Sequence, residues 1–215
     1  MTKTISYAAL EKLGRVRLSP NFFFRDFLYS EISNFHGIPN LPHHPDLAVE
    51  AARELCENLL EPLTAAFGKI SIRSAYRSPE VNDFGNKNGL NCASNESNYG
   101  AHIYDYRDSE GALGATASIV VNSYVDIFEE TGDWRAMALF IHDHLPYSGQ
   151  FYFPKLCAFN LTWSEKPKRA IKSYIAPKGT LTKPGMANHD GDHSHLYDTP
   201  YFHAALARLK DHSPA

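Results

Sequence analysis

The side chains of this chain first suggest metal chemistry. His189-Asp190-Gly191-Asp192-His193-Ser194-His195 places imidazoles and carboxylates around a glycine that lets the backbone fold tightly. These are donors that zinc takes from proteins. His102-Ile103-Tyr104-Asp105-Tyr106-Arg107-Asp108 offers a second set. One helical turn would bring His102 and Asp105 to the same side, whereas an extended turn would offer His102 and Asp108. Either pair needs a further ligand, and His193 or His195 could supply it from a loop folded over the site. Two imidazoles and a carboxylate with open positions suit zinc or another divalent metal, including non-haem iron. The plainer reading of both segments is a polar, solvent-facing loop in which Asp105 or Asp108 pairs with Arg107.

His142-Asp143-His144 closes a helical pattern. Consecutive residues of a helix point in different directions, so this triplet is a poor chelate and reads as structural. The negative end of the helix favours a protonated histidine there. Ser74-Ala75-Tyr76-Arg77-Ser78-Pro79-Glu80-Val81-Asn82 follows an alternating, strand-like stretch. Arg77 stands beside a proline-fixed turn, so its guanidinium projects rigidly, and a guanidinium grips a carboxylate through two parallel hydrogen bonds. The alternative is that Arg77 pairs with Glu80 and merely holds the turn.

Behind these clusters stand the elements that must position them. Residues 1–18 read as an arm, and 19–44 as a proline-punctuated segment pinned by Phe22, Phe23, Phe24 and Phe27. A helix starts at Pro45, with Leu55, Leu59, Leu63 and Phe67 recurring every fourth residue, Cys56 as a small buried neighbour, a kink near Pro62 and a stop at Gly68. Strands are expected at 69–75, 117–128, 155–163 and 170–175, and helices at 133–145 and 201–210. Residues 82–101 and 177–200 read as long loops, the kind that in compact proteins tends to carry function. Without regular alternation of strand and helix, this order predicts an α+β fold: a small, mainly antiparallel sheet with flanking helices.

The 215 residues, 43% hydrophobic and 21% charged, are those of a globular chain able to bury a core without staples. The net charge of −3 and the dispersed lysines and arginines argue against a nucleic-acid partner. No apolar run approaches the ~20 residues that span a bilayer, and the first residues lack the apolar stretch of a secretory signal, so no membrane partner and a cytoplasmic setting are expected. Cys56, Cys92 and Cys157 are odd in number and widely spaced, which excludes a disulfide framework and a zinc ribbon.

The Ser74–Asn82 string belongs with three others: Leu18-Ser-Pro-Asn-Phe-Phe-Phe-Arg-Asp-Phe27, Gly37-Ile-Pro-Asn40 and Leu60-Glu-Pro-Leu63. Together they resemble the M15 family of zinc D-Ala-D-Ala peptidases, which shares its fold with hedgehog-type domains. The resemblance runs from Leu18 to Asn82 and returns in pieces from Gly114 to Trp163. It implies a single M15-like domain over 19–215, with an insertion at 83–113 and the His-rich loop at 177–200. It also implies a zinc held by a His, an Asp and a second His, with a carboxylate base close before the last. Three protein ligands leave a position for water, which the metal acidifies and the base deprotonates.

The matches depart from that pattern. His102 takes the first ligand position, but Ser118 stands where the Asp is expected, Asn160 where the last His is, and Cys157 where the base is. On this alignment the standard peptidase mechanism does not run. The resemblance then implies a retooled, metal-dependent site acting on a peptide or amino-acid-like carboxylate ligand. Arg77, Glu80, Ser118 and Asn160 would be at the ligand, Cys157 at the base position, and a metal would be held by His102, Asp105, Asp108, His193 and His195. A peptidoglycan- or peptide-binding module without catalysis, and a genuine zinc peptidase with its ligands placed elsewhere, are the alternatives.

Overall fold

A computed structural model of the chain describes residues 7–212. Residues 1–6 of the expected N-terminal arm, and 213–215 at the other end of the expected domain, lie outside the described residues. The rest of the arm holds helix α1 (Tyr7–Gly14), and Arg17 bridges to Phe23 beyond it. Phe22, Phe24 and Phe27 are buried as expected of pinning residues, whereas Phe23 faces solvent. A short α2 (Glu31–His36) is capped by Ser30 and ended by Gly37, whose φ of 66° suits a residue without Cβ.

The apolar stripe from Pro45 becomes one long helical rod: α3 (Pro45–Leu55), a π-helical stretch (Cys56–Leu60) and α4 (Glu61–Phe67). Pro62 cannot donate to the carbonyl four residues back, and its ring crowds that carbonyl. The backbone widens to π just before it, and the helix continues to Gly68. Leu55, Leu59, Leu63 and Phe67 are all buried, and Cys56 is buried beside them.

Strands β1 (Ile70–Ser74), β2 (Gly114–Val121), β3 (Gly149–Tyr152), β4 (Phe159–Ser164), β5 (Ala170–Ser173) and β6 (Gly179–Thr182) form one open sheet in the order β1-β2-β4-β3-β5-β6. Only β3 and β5 run parallel. The fold is therefore α+β with a mostly antiparallel sheet. Alternation divides the sheet by face. Ala115, Ala117 and Ile119 of β2, Phe159 and Leu161 of β4, Tyr152 of β3 and Ile171 of β5 point into the helix-covered core. The π-containing rod, α8 (Arg135–His144) and α9 (Pro200–His212) supply the helical side of that core. The opposite face is polar.

Several expected boundaries shift for identifiable reasons. Residues 82–101 are not one loop, because Ser78 caps and Pro79 opens α5 (Pro79–Lys87), and α6 (Asn95–Asn98) follows. The strand expected to 128 stops at Val121, and the chain turns into α7 (Val125–Thr131). Strands β3 and β6 are too short to show a sequence period, and both fell in stretches read as connections.

The four strings behind the M15 resemblance meet in space. Glu61 accepts hydrogen bonds from Ser19 Oγ (2.6 Å), Asn21 N (2.7 Å) and Asn21 Nδ2 (2.6 Å). Asn40 Nδ2 donates to Leu28 O and Tyr76 O, and its Oδ1 accepts from Ser78 N. One carboxylate and one amide thus tie the proline-punctuated segment, the rod and the β1–α5 corner together. Glu61→Ala strands three donors around a buried position and is expected to lower stability by about 2–3 kcal/mol. Urea unfolding with an unchanged slope measures it, and a loss under ~0.5 kcal/mol would show the tie to be dispensable.

Candidate functional site

The polar face of the sheet forms a cleft of about 540 Å³. Thr116 of β2, Asn160 and Thr162 of β4, and Phe151 of β3 line its floor, with Lys168 and Lys172 on one side and His102 and Asp108 on the other. Strand pairing sets this arrangement: Thr116 is opposite Thr162 and Ser118 opposite Asn160 in the β2–β4 ladder. The Thr116 and Thr162 hydroxyls lie 2.8 Å apart. Lys168 reaches Glu110 only loosely, at 3.7 Å, from exposed positions.

His102 is buried and its orientation is imposed by the backbone. Its Nδ1 lies 2.7 Å from Ala75 O, which only accepts, so Nδ1 carries the proton. Nε2 then holds the lone pair, and no hydrogen bond occupies it among the described residues. Burial, reinforced by the nearby Arg77 guanidinium, pushes the His102 pKa down to about 3, so the ring is a neutral acceptor across the physiological range.

The expected ligand set is not formed around it. Asp105 is buried, and its carboxylate is consumed by His43 N (2.7 Å), His44 N (3.1 Å) and Tyr76 OH (3.1 Å), so it secures the turn into α3. Asp108 lines the cleft but spends Oδ1 on the amides of Glu110 and Ala112, closing its own turn. His195 is exposed, and His193 packs elsewhere, against Asp143. Among the described residues no three-ligand group includes His102.

Other expected contacts also resolve differently. Arg77 does not line the cleft: Nη1 contacts the Cys92 thiol, and the buried Nε has no partner among the described residues. Glu80 pairs with His43 Nε2 at 2.7 Å instead of Arg77. Ser118 is half-buried between Ser74 and Asn160 without lining the cleft. Cys157 is buried in a left-handed turn (φ 46°), one residue before Ala158 and β4. Burial, with Asp133 nearby, pushes its thiol up to about 12, which disqualifies it as a base. Of the ligand-side candidates, Asn160 faces the cleft.

A second group is assembled where the sequence argued against chelation. His142 and Asp143, on the last turn of α8, meet His193 from the 177–200 loop, and one ligand atom from each lies within 4.8 Å of the others. These residues could hold a metal ion. His193 Nδ1 is 2.7 Å from Asp143 Oδ1. Asp143 Oδ2 accepts from Tyr197 OH (2.8 Å) and His193 N (3.1 Å). Helical geometry does splay His142 from Asp143; the third residue, fifty positions on, comes within reach of both, and no local pattern announces it. Burial holds His142 below the usual histidine range.

The chain matches no family model, no curated protein and no solved structure. No helix among the described residues is long and apolar enough to cross a membrane.

The His102 shift has a definite sign. Its folded pKa lies below the unfolded value, so folding excludes a proton that the unfolded chain takes up below pH ~6.5. Stability from this group is complete above that pH and falls by about 1.4 kcal/mol per unit as pH drops toward the folded value. Between pH 7 and pH 5 the native protein is expected to lose about 2 kcal/mol more than His102→Asn. Urea titrations of both at the two pH values measure it, and parallel losses would refute it.

Proposed function

We propose that the chain is a divergent relative of the M15 zinc peptidases that keeps their cleft as a binding site for a carboxylate-bearing peptide or amino-acid-like ligand. The observation that carries this reading is the chemistry of the cleft. A neutral imidazole acceptor, two threonine hydroxyls and the Asn160 amide line a polar floor, with Lys168 and Lys172 placed to meet a carboxylate. Phe151 adds one apolar surface for a side chain. Hydroxyls and amides hydrogen-bond a peptide well but hold zinc poorly, so hydrolysis by a zinc-bound water is not assigned to this cleft. The interlocked motif residues support the family likeness, because the same strings that resemble M15 form the frame of the β1–α5 corner beside His102. On this reading a divalent metal, if bound, belongs to the His142 group and not to the cleft, and Arg77 supports His102 from behind instead of gripping ligand.

The test is titration with acetyl-Lys-D-Ala-D-Ala and with its C-terminal amide, followed by backbone NMR shifts and calorimetry. The free acid is expected to bind and to perturb β2, β4 and β5. The amide, or Lys172→Gln with the acid, is expected to bind about tenfold more weakly, the worth of ~1.4 kcal/mol. No D-Ala is expected to appear. Equal affinity for acid and amide would remove the carboxylate reading, and release of D-Ala with added zinc would replace it with peptidase activity.

A further inference from the structure

We propose that His142, Asp143 and His193 form a zinc site that clips the His-rich loop onto the end of α8, apart from the cleft and independent of its ligand. Three observations carry this.

The donors are right in kind and nearly right in place. Two imidazoles and a carboxylate are a familiar zinc set. In a tetrahedral site with bonds of about 2.0–2.1 Å, ligand atoms lie roughly 3.4 Å apart. The present atoms, all within 4.8 Å, need only a small contraction. Zinc would take the place of the proton shared between His193 Nδ1 and Asp143 Oδ1, which passes to solvent, and a fourth position remains for water.

The surroundings orient the rings. His142 holds the carbonyl of His189 (2.7 Å) through Nε2, so its Nδ1, which lies 2.6 Å from Tyr147 OH, is the nitrogen that would turn to the metal and release that hydroxyl; His193 lies 3.2 Å from the carbonyl of Asn188 through Nε2. Asp143 is held by Tyr197 OH. Outer partners of this type, carbonyls on imidazoles and donors on the carboxylate, are what proteins use to aim metal ligands.

The loop has little apolar anchorage. From residue 183 to residue 196, His193 is the only buried residue. Met186 is only half-buried, and the loop is held to α8 mainly by hydrogen bonds, His142 Nε2 to His189 O and His193 N to Asp143. Joining residues fifty positions apart, a metal would add direct ligand bonds to that hydrogen-bonded attachment.

The 215-residue chain, purified without a histidine tag, is stripped with chelator and titrated with zinc. One zinc per chain is expected, with Tm raised by about 5–10 °C at roughly 100 times Kd. Cobalt in place of zinc is expected to give the intense visible bands of a tetrahedral site. Zinc is expected to slow proteolysis within 183–196. His193→Ala and Asp143→Asn should lose stoichiometric uptake and the cobalt bands, while His195→Ala, in the same loop, and His102→Ala, in the cleft, keep them. Should the ligand variants fail to fold, the cobalt spectrum and zinc-dependent protection of the native protein decide. Absence of stoichiometric zinc in native protein, or undiminished uptake by folded His193→Ala, overturns the site. Loss of uptake in His102→Ala would move the metal to the cleft.

Discussion

A two-way backbone clamp holds His102: its Nδ1 donates to Ala75 O at 2.7 Å, and its own carbonyl accepts from Arg77 N at 2.8 Å. The neighbouring Ala101 O accepts from Thr116 N, which ties the same turn to β2. The clamp fixes the tautomer and buries the ring, and burial keeps it neutral. The character of the cleft follows from this, because a neutral acceptor in its lining suits hydrogen-bond donors, whereas a charged imidazolium would repel the cleft's lysines.

The clamp requires an exact β1–α5 corner, and the chain invests its best-connected polar side chains there. Asn40 satisfies Tyr76 O and Ser78 N from the proline-rich segment, and Asp105 takes Tyr76 OH and the amides before α3. Asp105 therefore contributes to the site by positioning and not by coordination. Gly114 shows how closely the layers approach: a Cβ there would lie 2.2 Å from Gly100 O, so only glycine lets β2 start beneath the 100–103 turn.

The two candidate sites illustrate different uses of histidine. In the cleft one imidazole stands apart from other metal-ligating side chains, and no hydrogen bond occupies its Nε2 among the described residues. At the end of α8, imidazoles and a carboxylate are drawn together by a loop with little else to bury. The sheet separates the roles, since the cleft faces away from the helices and the second group caps one of them.

Much of this was legible in the chain itself. The stripe of Leu55, Leu59, Leu63 and Phe67 declared the buried rod, the alternation at 69–75 declared β1, the strand candidates at 117–128, 155–163 and 170–175 overlap β2, β4 and β5, and their irregular order declared an α+β fold, because local periodicity reports which face is apolar. His102 and His193 stood out by type. Partners did not: whether Asp105 meets a metal or three backbone and hydroxyl donors, whether Arg77 faces a cleft or Cys92, and whether Asp143 meets His193 depend on segments dozens of residues apart. Side-chain chemistry is written residue by residue, but which donor meets which acceptor is set by strand register and loop closure, and those are decided only when the whole core packs.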